Sequence, residues 1–83
     1  MSKIPDGLRT QALAEMGAHY ARVHNTSTLE PELVAGAFRD AVTTAQEMLS
    51  ANPKRGPQYA RRVLDNKGLS QDTIEQIMTA LSS

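Results

Sequence analysis

The sequence predicts an all-α fold, a compact bundle of four helices that together form one domain over residues 1–83. Apolar residues recur every three or four positions over most of the chain, as they do on one face of a helix. Short runs rich in proline, glycine and small polar residues separate the stretches with this spacing, and no stretch reads as a β-hairpin. Because the connections are short, neighbouring helices are expected to pack together. We place the helices at about residues 6–24, 28–50, 57–66 and 70–81, with the second helix central.

The first helix has one clear apolar face and a polar stop. Asp6 is a candidate N-cap, and Pro5 is an equally good candidate for the first helical position. The polar run that opens with Asn25 ends the helix. Its apolar face comprises Leu8, Ala12, Met16, Tyr20 and Val23, with Leu13 beside it.

The second helix is the longest of the four. The hydroxyl of Thr28 can cap it, Pro31 fits its first turn, and Glu30 and Glu32 suit the positive end of the helix dipole. Its apolar residues cover more than one stripe, which predicts a helix packed on two sides. They are Leu33, Val34, Ala37, Phe38, Ala41, Val42, Ala45, Met48 and Leu49.

Two glycines lie inside these helices, Gly17 in the first and Gly36 in the second. Each disfavours the helix by about 1 kcal/mol relative to alanine, so some other contact is expected to offset them. With Ala14, Ala18 and Ala21, Gly17 forms a smooth ridge on the first helix, and Ala35, Gly36 and Ala37 form a matching low spot on the second. Close contact between the two helices is the favoured interpretation, and a gap facing a ligand is the alternative.

The third helix follows a run of helix-breaking residues from Asn52 to Pro57. Pro57 can start the helix, and Gly68 is the expected residue just past its end. We expect it to bury Tyr59, Ala60, Val63 and Leu64, and to turn Arg61, Arg62 and Asp65 toward solvent.

The fourth helix has the clearest local signals. Ser70 is the expected N-cap, Asp72 suits the first turn, and Leu69 is placed to pack on Ile74. Its predicted buried face comprises Ile74, Ile77, Met78 and Leu81. Whether the last two helices pack on the first two remains open from the sequence.

The composition excludes several classes of protein. The chain has no cysteine, which excludes a disulfide framework and thiolate metal sites and favours a cytoplasmic location. Neither an apolar signal segment near the N-terminus nor a run of about 18 apolar residues is present, so we expect neither export by a standard signal nor a membrane partner. A chain this small without disulfides is often marginally stable alone, which makes a homodimer one expected arrangement.

Candidate catalytic and metal-binding residues are few. His19 and His24 are five positions apart, whereas two metal ligands on one helix face are four apart. Glu15 and His19 have that spacing, but without a further histidine or a cysteine a surface ion pair is the favoured interpretation. No nucleophile elbow or glycine-rich phosphate loop is present. We therefore expect no enzyme activity, no metal and no cofactor.

The most informative feature is a basic segment, in a chain whose nine basic and nine acidic residues cancel overall. Between residues 53 and 68, five basic residues face only Asp65, a net charge of +4. These five are the candidate binding surface: Lys54, Arg55, Arg61, Arg62 and Lys67. Three interpretations are open: a solvated or intramolecularly balanced face, nucleic-acid binding, or an acidic protein partner. Balance is favoured, because Arg61 has Asp65 at i+4, acids of the second helix are available to Lys54 and Arg55, and Lys67 suits a helix C-terminus.

Two resemblances bear on the end of the chain. The segment from Gly68 to Ile74 is similar to the turn of a helix-turn-helix, but Leu64 stands where that motif has a small residue, and Asp72 and Glu75 would repel phosphate. The stretch from Gly56 to Leu81 has Gly56-Pro57 at its start, Lys67-Gly68 before its last helix and then Ile74. In these residues it is similar to the helical repeats of the RecX family of recombinase regulators. That similarity covers under a third of the chain and slightly favours a regulatory role in a nucleic-acid process.

The sequence thus predicts a small, non-catalytic protein–protein interaction or regulatory module. A protein partner is the leading expectation, including a second copy of the chain bound through surplus apolar surface on the first two helices. The alternative is a nucleic-acid-binding regulator that uses residues 54–67. Only nucleic-acid binding requires an affinity that falls steeply with salt and is lost when Arg61 and Arg62 are reversed in charge.

Overall fold

The computed structural model describes residues 4–24 and 30–82. Over these residues the chain forms four α-helices and no strand: α1 is Asp6–Val23, α2 is Pro31–Ala51, α3 is Gly56–Asp65 and α4 is Gln71–Leu81. The predicted all-α fold with four helices is confirmed. Of the helices described, none combines the length and the apolar character that crossing a membrane requires.

The principal contacts between helices form a closed ring. Helix α1 packs against α2 and α4, helix α3 packs against the same two helices, and the contact between α2 and α3 is the most extensive. The 21 residues of α2 span about 31 Å along the helix axis, and the long axis of the molecule is 39 Å. Helix α2 contacts both α1 and α3, although its buried residues form a single stripe, and the final pair of helices closes against the first pair.

The core comes from one face of each helix. Its buried hydrophobic residues include Leu8, Ala12 and Met16 of α1, Val34, Phe38, Ala41 and Ala45 of α2, Ala60 and Leu64 of α3, and Ile74, Ile77, Met78 and Leu81 of α4. The spacing of three and four residues within each set matches the predicted faces. The predicted buried face of α4 is confirmed in full.

The N-cap of α1 and the start of α2 differ from the predictions. Helix α1 begins at Asp6, as predicted, but its N-cap is Pro5, with an extended backbone, so Asp6 is not the cap and Pro5 is not the first helical residue. Helix α2 begins at Pro31, with Glu30 as an extended N-cap. A residue before proline is disfavoured in the helical region, which explains why α2 starts here and not three residues earlier. The predicted cap Thr28 lies outside the described residues.

The connection between α2 and α3 is a tight turn built on one asparagine. Oδ1 of Asn52 accepts hydrogen bonds from the backbone N–H groups of Lys54 at 3.2 Å and Arg55 at 3.0 Å. Helix α3 starts at Gly56, one residue earlier than predicted. A Cβ at Gly56 would overlap with the carbonyl group of Met48, so glycine allows α3 to approach the end of α2.

The predicted explanation for the two helical glycines is wrong. A Cβ added at Gly17 or at Gly36 would meet no atom within 4 Å. No close contact between helices therefore requires glycine at either position. Gly68 is different, because its φ of +82° lies in the left-handed region and a Cβ there would overlap with the side chain of His19.

Candidate interaction surfaces

The five predicted basic residues lie in the turn between α2 and α3, on α3 and just beyond its end. Lys54 and Arg55 lie in the turn, Arg61 and Arg62 on the helix, and Lys67 just beyond its end. The first four side chains are exposed, and Lys67 is half-buried. We call this set the basic surface.

One member of the basic surface is neutralised by a partner that the sequence did not indicate. Arg61 Nε lies 2.8 Å from Oε2 of Glu75 and its Nη2 lies 3.1 Å from Oε1, a two-pronged ion pair between α3 and α4. The expected pairing of Arg61 with Asp65 is wrong. The hydrogen bonds and the opposite charge raise the pKa of Arg61, and the bond from Arg61 lowers the pKa of Glu75.

The remaining cations of the basic surface are not balanced in this way. Neither Lys54 nor Arg55 forms an ion pair with any described residue, so their expected pairing with acids of α2 is wrong. Arg62 and Lys67 likewise have no ion pair among the residues described. Lys54, Arg55 and Arg62 therefore present exposed positive charge to solvent.

An aromatic ring lies among these cations. Tyr59 was expected in the core, but its side chain is 41% exposed. Helix α3 buries the narrow stripe of Gly56, Ala60 and Leu64, four residues apart, and Tyr59 lies to one side of that stripe. Arg55, four residues before Tyr59, and Arg62, three residues after it, lie on the same side of the helix as Tyr59.

A second exposed surface is apolar and lies where α1 ends and α2 begins. Val23 is 62% exposed, although it was predicted on the buried face of α1, and Leu33 is 64% exposed. As the last residue of its helix, Val23 lies beyond the part of α1 that the core covers. Leu33 also lines a shallow groove of about 180 Å³, together with Tyr20, His24, Val34 and Ala37. We call Val23, Leu33 and this groove the apolar patch.

A third group, the Glu15 cluster, joins α1 to the start of α4. The carboxylate of Glu15 accepts hydrogen bonds from the backbone N–H of Ser70 at 2.7 Å, from Ser70 Oγ at 3.2 Å and from Thr73 Oγ1 at 2.6 Å. Gln11 Nε2 donates to Thr73 Oγ1 at 2.7 Å, which satisfies that fully buried threonine further. The predicted surface ion pair of Glu15 with His19 is therefore wrong.

The electrostatics of Glu15 follow from this position. Partial burial raises the pKa of the carboxyl, but the hydrogen bonds from Ser70 and Thr73 outweigh that effect and hold the pKa below its ordinary value. The carboxylate also lies at the positive end of α4. Ser70 is the N-cap of α4, as predicted, and its Oγ accepts from the Thr73 N–H at 3.3 Å.

The histidines do not assemble into a metal site with the acids that the structure describes. Within residues 4–24 and 30–82, no group of three or more histidine, aspartate or glutamate side chains is arranged to hold a metal ion. The imidazole of His19 lies beside Gly68, and that of His24 lines the apolar patch.

Comparison with models of protein families, with curated proteins and with solved structures finds no match.

Proposed function

We propose that this chain is a small, non-catalytic interaction module, which binds a protein partner through the apolar patch, and that the partner includes a second copy of the chain. The observation that supports this most directly is the exposure of two large aliphatic side chains, Val23 at the end of α1 and Leu33 at the start of α2, of which Leu33 lines a groove. Isolated exposed aliphatic residues are common, whereas aliphatic residues grouped beside a groove are typical of interfaces. The cytoplasmic setting proposed for a chain without cysteine is compatible with this role.

Self-association is tested by sedimentation equilibrium of the whole chain over a series of concentrations. We expect a monomer–dimer equilibrium, and we expect the double substitution Val23→Lys and Leu33→Lys to shift it to monomer, because burying two ammonium groups is unfavourable. The matched control is Thr43→Lys with Gln46→Lys, which adds the same charge at two exposed positions of α2. A wild-type chain that stays monomeric throughout the series would contradict self-association. Equal effects of the two double variants would contradict the location.

A second candidate function is nucleic-acid binding through the basic surface. It is supported by Lys54, Arg55 and Arg62, whose exposed charges have no ion pair with another described residue. Cations of this kind neutralise phosphates and release counterions, which makes binding strongly dependent on salt. The test is fluorescence anisotropy with labelled DNA and RNA at about 50 and 200 mM salt. Binding that is absent even at the lower salt would contradict this candidate.

A further inference from the structure

The arrangement of Arg55, Tyr59 and Arg62 indicates more than positive charge. The three side chains follow one another at intervals of four and three residues, so they lie along one exposed side of α3, starting at its N-cap. The rise along the helix axis from Arg55 to Arg62 is about 10.5 Å, and Tyr59 lies between them along the chain. We call these three residues the α3 stripe.

We infer that the α3 stripe is a binding site for single-stranded nucleic acid, with the ring of Tyr59 stacking on an unpaired base and the two guanidinium groups contacting phosphates on either side of it. The inference rests on the second candidate function and specifies its ligand. Proteins that bind single strands without sequence preference combine a basic track with exposed aromatic rings.

The exposure of Tyr59 is the observation that favours a single strand over a duplex. Both faces of a base inside a duplex are already stacked, so an aromatic side chain on the protein surface finds a partner only on an unpaired base. A tyrosine that is 41% exposed also leaves apolar ring surface in water, which stacking would remove. A purely electrostatic duplex contact would need the arginines but not the ring.

The charges around the stripe are compatible with an anionic strand. On α4, Glu75 is neutralised by Arg61 through two hydrogen bonds. Asp65, on α3 itself, accepts a long hydrogen bond of 3.5 Å from Gln71. Arg61 is thus committed to α4, and the inference assigns phosphate contacts to Arg55 and Arg62 instead.

The experiment compares anisotropy of labelled oligothymidine, oligouridine and a DNA duplex of equal length with the whole chain. We expect tighter binding of the single strands than of the duplex. Tyr59→Ala should weaken single-strand binding by about 5- to 150-fold, the range that stacking on one ring contributes, and Tyr59→Phe, which keeps the ring, should restore it. Because Tyr59 is exposed, circular dichroism should show both variants folded.

Arg55→Glu with Arg62→Glu should abolish binding or lower its salt slope by about 1.4, the value for two phosphate contacts on a single strand. The matched control, Arg9→Glu with Arg39→Glu, makes the same charge change at exposed positions of α1 and α2 and should retain most of the binding. Two results would overturn the inference and leave the second candidate standing: equal or tighter binding of the duplex, or no effect of Tyr59→Ala where the arginine reversals weaken binding. No binding of any oligonucleotide at low salt would overturn both.

Discussion

The start of α4 and the end of α1 differ in how far their side chains find partners within the chain. At α4, the Ser70 cap, the Glu15 carboxylate from a distant helix and the buried Thr73 hydroxyl form a connected set of hydrogen bonds. At the end of α1, Val23 is largely exposed, as is Leu33 at the start of α2. The polar groups at the start of α4 are hydrogen-bonded within the chain, whereas apolar side chains at the end of α1 and the start of α2 are exposed to solvent.

This difference indicates where stability and binding are concentrated. Helix α4 buries five of its eleven residues and is fixed by contacts to both α1 and α3. Residues 71–81 therefore belong to the part of the molecule that substitution should damage most. The apolar patch should tolerate substitution in the monomer and respond mainly through association.

The largest difference is expected when the same side chain is removed from the core and from the apolar patch. Leu64, fully buried on α3, should lose about 2–5 kcal/mol of unfolding free energy on substitution to alanine, because a cavity replaces a packed isobutyl group. Leu33→Ala should change it by no more than about 0.5 kcal/mol in dilute protein, since that side chain is 64% exposed. Urea denaturation of both variants gives the two values.

Repeating the Leu33→Ala measurement at higher protein concentration tests whether the apolar patch contributes to stability through association. If the apolar patch binds a second copy, the stability difference from wild type should grow with concentration, whereas that of Leu64→Ala already appears in the monomer. Equal losses for the two variants in dilute protein would show that the regions do not differ as described.

Glu15→Gln tests the polar link between α1 and α4. At neutral pH we expect a loss of about 1–2 kcal/mol, because the charged acceptor of two Ser70 donors and the Thr73 hydroxyl becomes a neutral amide. The matched control is Glu47→Gln, at an exposed position of α2 where the side chain forms no hydrogen bond with a described residue. Urea midpoints for both variants measure the effect.

The pH dependence of that loss has a definite sign. The pKa of Glu15 is lowered in the folded protein, so its carboxylate stabilises the fold fully above the ordinary glutamate pKa of about 4.3. As the pH falls through the lowered pKa, this contribution disappears, and the gap between wild type and Glu15→Gln should close. A gap that stays constant down to acid pH would contradict a role for the charge.

Four glycines provide an intermediate test. Gly17→Ala and Gly36→Ala should each stabilise the protein by up to about 1 kcal/mol, because both positions are helical and have room for a methyl group. Gly68→Ala should destabilise it by about 1–2 kcal/mol through the left-handed φ alone, and Gly56→Ala should destabilise it through overlap with Met48. Thermal unfolding ranks the four variants. Destabilisation by Gly17→Ala would support the close helix contact that the structure does not contain.

The sequence predicted what depends on neighbouring residues and missed what depends on distant ones. The Ser70 cap, the left-handed Gly68 and the buried face of α4 follow from local rules of helix capping and spacing. The role of Glu15 does not, because its partner Ser70 is 55 residues away in the chain. The unsatisfied N–H groups at the start of α4 indicated that an acceptor was needed, without indicating which one.

The candidate site shows the same division. That residues 53–68 are basic was evident from the sequence, but Arg61 bonds to Glu75 rather than to the acid four positions ahead. The spacing of residues along one helix shows which side chains can interact within that helix. Once the helices pack, a side chain can instead bind a partner on a neighbouring helix, as Arg61 does. The exposure of Tyr59 was missed for a related reason: a short helix between two neighbours buries a narrower stripe than its apolar pattern suggests.

The smallest effect is expected at the exposed ion pair between α3 and α4. Glu75→Gln should lower the melting temperature only slightly at low salt and not detectably at high salt, because solvent and ions screen an exposed pair. Glu47→Gln again removes one acidic charge elsewhere and serves as the control. Oligonucleotide binding should not weaken in Glu75→Gln, since Arg61 lies outside the α3 stripe and loses only the partner that neutralised it. A clear loss of affinity would instead show that the pair positions the stripe, and that the basic surface and the contact between α3 and α4 act as one unit.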